Sequence, residues 1–290
     1  MNQKVAVVQM VSGADVEKNL QTAARLISHA ASNGAGLVLL PENFAVLDGG
    51  PLSTFAEVLG ADGALLQGFL SDQARQHGIY LVAGTIPILS RPDDEVSIGA
   101  RILTDGRVRP ACLVYAPLGE LVARYDKMHL FDVEVEDKQA QYSESRSFEP
   151  GNKLVSVATS LGRLGLSICY DLRFPELYRC LLAQGAELIT VPSAFTRVTG
   201  EAHWEVLLRA RAIENQCYVL AANQGGVHNS MRETFGHSMI VDPWGRVLAS
   251  VGKGEGVAIA EIDIPYLLEL RQKMPIQHQR RINFGVKSEF

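Results

Sequence analysis

The chain has 290 residues, 47% hydrophobic and 20% charged, which suits a soluble globular protein with one large core or two average ones. A formal net charge of -5 offers nothing to a polyanion, and no apolar run approaches the roughly 18 residues of a membrane span, so neither nucleic acid nor membrane is an expected partner. The four cysteines have no CxxC spacing, which argues against a zinc ribbon, a dithiol redox centre or a disulfide scaffold.

In chain order, the opening MNQKVAVVQM lacks the pattern of a signal peptide, and a reducing cytoplasm is the expected setting. Short Val, Ile and Leu runs at 4–10, 36–42, 79–88, 164–170, 187–195 and 217–224 predict buried strands. Helical patterns lie between them. One follows residue 15 and ends at Gly34, a second ends at Gly78, a third runs from Pro175 to Gly185, and a fourth covers EAHWEVLLRARAIENQ. From about 97 to 126, alternating segments predict an antiparallel meander with turns at Asp105-Gly106 and Leu118-Gly119. SMIVDPWGRVLASV predicts a hairpin turning at Asp242 to Gly245, and GVAIAEIDI a further strand. No linker or repeat divides the chain. We read residues 1–290 as one α/β domain with helices over two stacked sheets, its polar tail from about 274 packing on a neighbouring subunit.

Three residues stand where chemistry is possible. Cys169 ends the run LGLSICYD just before the Pro175 helix, so it should face the carboxyl edge of a sheet beside backbone N–H groups. Taken alone it reads more readily as a buried structural thiol. Glu42 closes GLVLLPENF at the same kind of edge. A carboxylate withheld from water holds its proton more tightly and can act as a general base, and it can also simply cap the next element. Lys127, in RYDKMHLFD, could favour a thiolate or neutralise an oxyanion, or lie on the surface. His129 would share its face if the segment is a strand, and we read it as a satisfied structural histidine. There is no HExxH, Walker or GxSxG motif, and no metal-loop carboxylate spacing.

At these three places the sequence resembles the carbon–nitrogen hydrolase (nitrilase) superfamily. LPENF, RYDKMHLFD and GLSICYDLRFPELYR match its glutamate, lysine and cysteine blocks in order. PSAFTRVTGEAHWEVLLRARAIENQCYVLAANQ and GHSMIVDPWGRVLA look like downstream blocks of the Nit branch, so the likeness spans roughly 4 to 280. The resemblance implies a four-layer αββα sandwich of two mixed sheets flanked by helices, forming a homodimer or a higher homo-oligomer. It implies Glu42 as general base, Cys169 as nucleophile, and Lys127 with the Tyr170 backbone N–H as oxyanion donors. Glu144 falls where the family carries a second glutamate that orients the lysine, with Glu149 its nearest rival. No metal or organic cofactor is implied. One thiol, one carboxylate and one ammonium suffice for acyl transfer through a thioester.

Two Nit subgroups fit. One hydrolyses deaminated glutathione to 2-oxoglutarate and cysteinylglycine. The other, the omega-amidases, acts on 2-oxoglutaramate or succinamate. RFPELYR, with Pro175, and PSAF, with Ser193, look closer to the first. Nitrile hydrolysis and a non-catalytic scaffold on the same fold are further readings. Both amide substrates carry a carboxylate, so a cationic anchor is expected. Arg173 is the candidate, with an internal salt bridge to Asp171 or Glu176 as its alternative. Phe195 and Thr199 could line the acyl pocket, and the 225–235 loop should set the width of its mouth.

Overall fold

A computed structural model describes residues 3–93 and 101–282. Strands β1 (Gln3–Gln9), β2 (Ala35–Leu39) and β3 (Tyr80–Val82) run parallel at the centre of a seven-stranded sheet. Helix α1 (Val16–Ser32) crosses from β1 to β2. The Asp15 side chain caps it by accepting from the Lys18 N–H at 3.2 Å, and Ala23, Ile27 and Ala30 lie on its buried stripe. Helix α2 (Leu65–His77) leads into β3 and ends at Gly78, whose φ of 62° permits the left-handed cap the sequence predicts. Beyond β3 the sheet turns antiparallel through β4 (Ile86–Ile88), β5 (Arg109–Tyr115) and β6 (Leu121–Asp126). A small hairpin, β7 (Asp132–Glu134) with β8 (Gln141–Ser143), follows.

The second sheet has six strands. Its centre is again parallel: β10 (Gly162–Leu166), β11 (Leu188–Thr190) and β12 (Tyr218–Ala221), joined by α3 (Pro175–Ala183) and α4 (Arg197–Asn215). Antiparallel β9 (Ser156–Thr159) closes one edge, and β13 (Met239–Val241) with β14 (Val247–Ser250) the other. β15 (Gly256–Ile262) then returns to pair with β1 in the first sheet, before α5 (Ile264–Lys273).

Strand alternation makes the layers. Val5, Val7, Leu37 and Leu39 pack with Leu164, Leu166 and Leu220 between the sheets. Ala6, Val8 and Val38, one residue out of phase, pack under α1 and α2. Trp204 and Leu208 of α4 and Leu181 of α3 cover the outer face of the second sheet. The order is therefore helices, sheet, sheet, helices, as the sequence predicts. Among the described residues no helix is long and apolar enough to cross a membrane.

Three local expectations change. The run 79–88 is not one strand, because Gly84 adopts a φ of +59° between β3 and β4. A Cβ there would sit 1.9 Å from the Pro41 carbonyl oxygen, so the chain turns where only glycine fits. Of the predicted meander, β5 and β6 form around Gly119, residues 101–108 hold only isolated bridges, and 97–100 lie outside the described residues. Helix α4 starts four residues earlier than its pattern, because Thr196 caps it through Thr199 N–H.

Candidate active site

The parallel strands of both sheets point their carboxyl ends at one place. Glu42 comes three residues after β2, and Cys169 three residues after β10. The strand predicted to run to Tyr170 stops at Leu166, and Cys169 opens a short 3-10 turn with a φ of +47°. A non-glycine residue in that region is strained, and the neighbours fix it. The Cys169 N–H donates to Pro192 O at 2.9 Å. The fully buried Asp171 carboxylate accepts from the Ile168 N–H at 2.8 Å, Tyr125 OH at 2.7 Å, and the His129 N–H at 3.1 Å. His129 Nδ1 adds a fourth contact at 2.7 Å and stacks its ring on Phe174. A carboxylate can only accept, so Nδ1 carries the proton. Asp171 is thus the clamp of the turn, and His129 serves it rather than the thiol.

Lys127 follows β6 directly and is completely buried. Its Nζ donates to Glu42 Oε1 at 2.9 Å and to both oxygens of Glu144 at 2.9 and 2.8 Å. Glu144 Oε2 also accepts from Phe131 N–H at 2.8 Å. A buried ammonium survives only when paired, and here two carboxylates pair it. Glu149, the rival for the second glutamate, lies elsewhere. It binds Arg91 and Arg109, and Arg109 also binds Asp126, the residue before Lys127. That ion network pins the strand end from which Lys127 projects. The Glu42 carbonyl is held by Gln224 Nε2 at 3.0 Å, and the Asn43 N–H by Thr85 Oγ1 at 2.8 Å.

The charges set proton affinities. Burial pushes the Cys169 thiol well above its ordinary range, and Glu42 adds to this against the pull of Lys127. The resting group is therefore the thiol, not the thiolate that an adjacent ammonium alone would favour. Burial opposes the charge on Lys127, but Glu144 and Glu42 overcome it and raise its proton affinity. Glu144 is raised by burial and by Glu42, against Lys127. A protonated nucleophile beside a buried carboxylate and a fixed ammonium is equipped for proton transfer, attack and oxyanion stabilisation.

These groups open onto a cavity of about 280 Å³. Tyr170, Arg173, Phe195 and Thr199 all line it. Arg173 makes no ion pair with Asp171 or Glu176. Its guanidinium lies over the Tyr170 and Phe195 rings, 5.7 and 5.4 Å from their centroids, and Nη1 is 3.2 Å from His203 Nδ1. Phe195 is both wall and core, packed on Trp204 at 4.8 Å. The Thr199 hydroxyl bonds to Thr196 Oγ1 at 2.8 Å. Sequence reasoning left out Asp48, Tyr142 and Arg232, which also line the cavity. Tyr142 belongs to β8, Asp48 to the loop after β2, and Arg232 to the 225–235 loop expected to set the width of the mouth; nothing in their local patterns marks them individually.

Comparisons with known proteins point to one family. The model of the carbon-nitrogen hydrolase family matches residues 4–272. A Synechocystis protein named deaminated glutathione amidase is 45% identical over 277 residues, 94% of this chain and 97% of its own. Saccharomyces cerevisiae Nit3, described as a member of branch 10 of the nitrilase superfamily, is 34% identical with a TM-score of 0.83, covering 97% of each chain. An amidase variant from Nesterenkonia sp. AN1, with acrylamide added to its active-site cysteine, is 27% identical with a TM-score of 0.72, covering 95% of this chain and 99% of its own. With the family model spanning nearly all of its length, the chain belongs to the carbon–nitrogen hydrolase family.

Proposed function

We propose that this protein is a cysteine amidase that hydrolyses deaminated glutathione to 2-oxoglutarate and cysteinylglycine. The observation that carries it is the Glu42–Lys127–Glu144 cluster beside Cys169, on a cavity where Arg173 presents a guanidinium with no carboxylate partner among the described residues. The relatives' shared name supports the same substrate.

In this reading Glu42 takes the thiol proton as Cys169 sulfur attacks the amide carbon. The oxyanion forms against Lys127 Nζ and the Tyr170 backbone N–H. The C–N bond breaks, and Glu42 returns the proton to the leaving amine. Glu42 then removes a proton from water, which cleaves the thioester and restores the thiol. Glu144 keeps Lys127 charged and aimed. Arg173 holds the carboxylate of the 2-oxoglutaryl group, with Phe195 and Thr199 beside it.

Both sheets supply the site, so we take residues 1–290 to act as one domain. We also take the chain to pair with a second copy. Val206 and Ile213, seven residues apart on α4, are 68% and 46% exposed, a surface suited to another apolar face. Four free cysteines suit a reducing compartment such as the cytoplasm.

The test is an assay of purified protein on deaminated glutathione, 2-oxoglutaramate and a simple nitrile. The highest kcat/KM should fall to deaminated glutathione. A higher value for 2-oxoglutaramate overturns this substrate in favour of omega-amidase activity. Cys169→Ala should stay folded and lose turnover on all three; retained activity would remove Cys169 from the chemistry.

A further inference from the structure

We propose that Arg232 anchors a second carboxylate, at the leaving-group end of the substrate, so that the site recognises an amide charged at both ends. The proposal rests on the deaminated-glutathione reading above. Arg232 stands on a wall shared by two cavities. One is the site itself, and the other, of about 380 Å³, lies between the β7–β8 turn and the 227–233 loop. A substrate whose acyl carbon sits at Cys169 can therefore extend past Arg232 toward the outer cavity.

The guanidinium there is underused. Of its five N–H donors, Nη1 makes a long contact of 3.3 Å to Asp48 Oδ1, and Nε is buried with no partner among the described residues. A carboxylate on this fork would use donors that the fold leaves idle. The side chain is also positioned in advance. Asn229 Oδ1 accepts from the Met231 and Arg232 N–H groups at 2.7 and 2.8 Å, while Asn229 Nδ2 donates to Asp48 Oδ2 at 2.9 Å. One asparagine thus ties the arginine's loop to its counter-ion.

Two arginines now match two carboxylates. Arg173, four residues from Cys169, faces the acyl end. Arg232, on the 227–233 loop and also lining the outer cavity, takes the end that departs. Deaminated glutathione carries a carboxylate at each end, whereas 2-oxoglutaramate carries one, so Arg232 has work to do only for the longer substrate. Asp48 neutralises Arg232 while the site is empty and competes with the incoming carboxylate, which favours release of the product dipeptide.

The experiment compares wild type, Arg232→Gln and Arg232→Lys on three substrates: deaminated glutathione, the same molecule with its glycine carboxylate converted to a carboxamide, and 2-oxoglutaramate. Wild type should prefer the carboxylate over the carboxamide by about tenfold or more in kcat/KM, the scale of one charge-assisted contact. Arg232→Gln should erase that preference through KM, leaving kcat and 2-oxoglutaramate hydrolysis nearly unchanged, and Arg232→Lys should restore part of it. An unchanged preference, or an equal loss on all three substrates, overturns the anchor while the proposed function stands. If wild type hydrolyses 2-oxoglutaramate but not deaminated glutathione, the substrate assignment fails and the anchor falls with it.

Discussion

Lys127 donates to both carboxylate oxygens of Glu144, at 2.9 and 2.8 Å, and to only one oxygen of Glu42, at 2.9 Å. The doubly bound carboxylate is a fixed counter-ion. The singly bound one keeps an oxygen for other work, which divides the roles of two otherwise similar glutamates.

That division predicts an asymmetric cost. Glu144→Gln should leave Lys127 leaning on Glu42 alone, tightening the pair and making Glu42 a poorer base. We expect kcat to fall by about a hundredfold or more, the scale of losing an aligned electrostatic group, with circular dichroism unchanged. A kcat within twofold of wild type would show that Glu144 does not support the chemistry.

Glu42 holds the Cys169 thiol in its protonated form, acting with burial, so its removal should separate thiolate content from activity. Glu42→Gln should lower the thiol's pKa, because Lys127 then acts on it with one carboxylate fewer opposing it. Alkylation of Cys169 by iodoacetamide should begin at lower pH than in wild type, while amide turnover falls by at least about a hundredfold for want of a base. A thiol that titrates higher in the variant would contradict the electrostatic account.

The same burial gives a stability signature at alkaline pH. Cys169 is raised well above its ordinary range, and burial pushes Cys112 and Cys217 up to about 12. The folded chain holds these protons more tightly than the unfolded chain does. Their contribution is therefore complete below the ordinary thiol pKa of roughly 8.5 and is lost as pH rises from there through the folded values. Urea midpoints should decline above about pH 8.5, and Cys112→Ala should make that decline shallower. A decline equally steep in the variant would count against Cys112.

Asp171 takes four donors with a single carboxylate, so Asp171→Asn should do more harm than removing any one donor. An amide has one acceptor oxygen and would turn N–H groups toward N–H groups. We expect a loss of about 3 kcal/mol in urea unfolding, against about 1 kcal/mol for Tyr125→Phe, with kcat reduced as the Cys169 turn relaxes. Equal losses for the two variants would mean that the clamp is not cooperative.

Gly84 tests the floor beneath Glu42. Alanine there meets the Pro41 carbonyl oxygen at 1.9 Å and a left-handed backbone at once. Gly84→Ala should cost about 3 kcal/mol or more, since a positive φ and an overpacked contact each cost roughly 1–2 kcal/mol or above. It should also lower kcat by moving Glu42. A fully stable, fully active variant would remove Gly84 from the site's support.

What the apolar pattern determined by itself is the α/β class and the strand ends that carry the candidate residues; two stacked sheets and the residues' roles came from the family resemblance. Period-two and helical apolar patterns act locally, so β1, β2, α1 and α3 were legible, and Cys169, Glu42 and Lys127 stood out at the ends of such runs. Local pattern also misled: a continuous apolar run hid the break at Gly84 and the end of β10 before Cys169. Tertiary structure decided the rest, because the deciding contacts join distant segments. Glu144 rather than Glu149 reaches Lys127, since Arg91 and Arg109 capture the other. Asp171 rather than the thiol claims His129. Arg173 stays free of Asp171, which four donors already fill, and Asp48 meets Arg232 across 184 residues of sequence. No periodicity encodes such pairings. They arise only when two sheets bring their carboxyl edges to the same place.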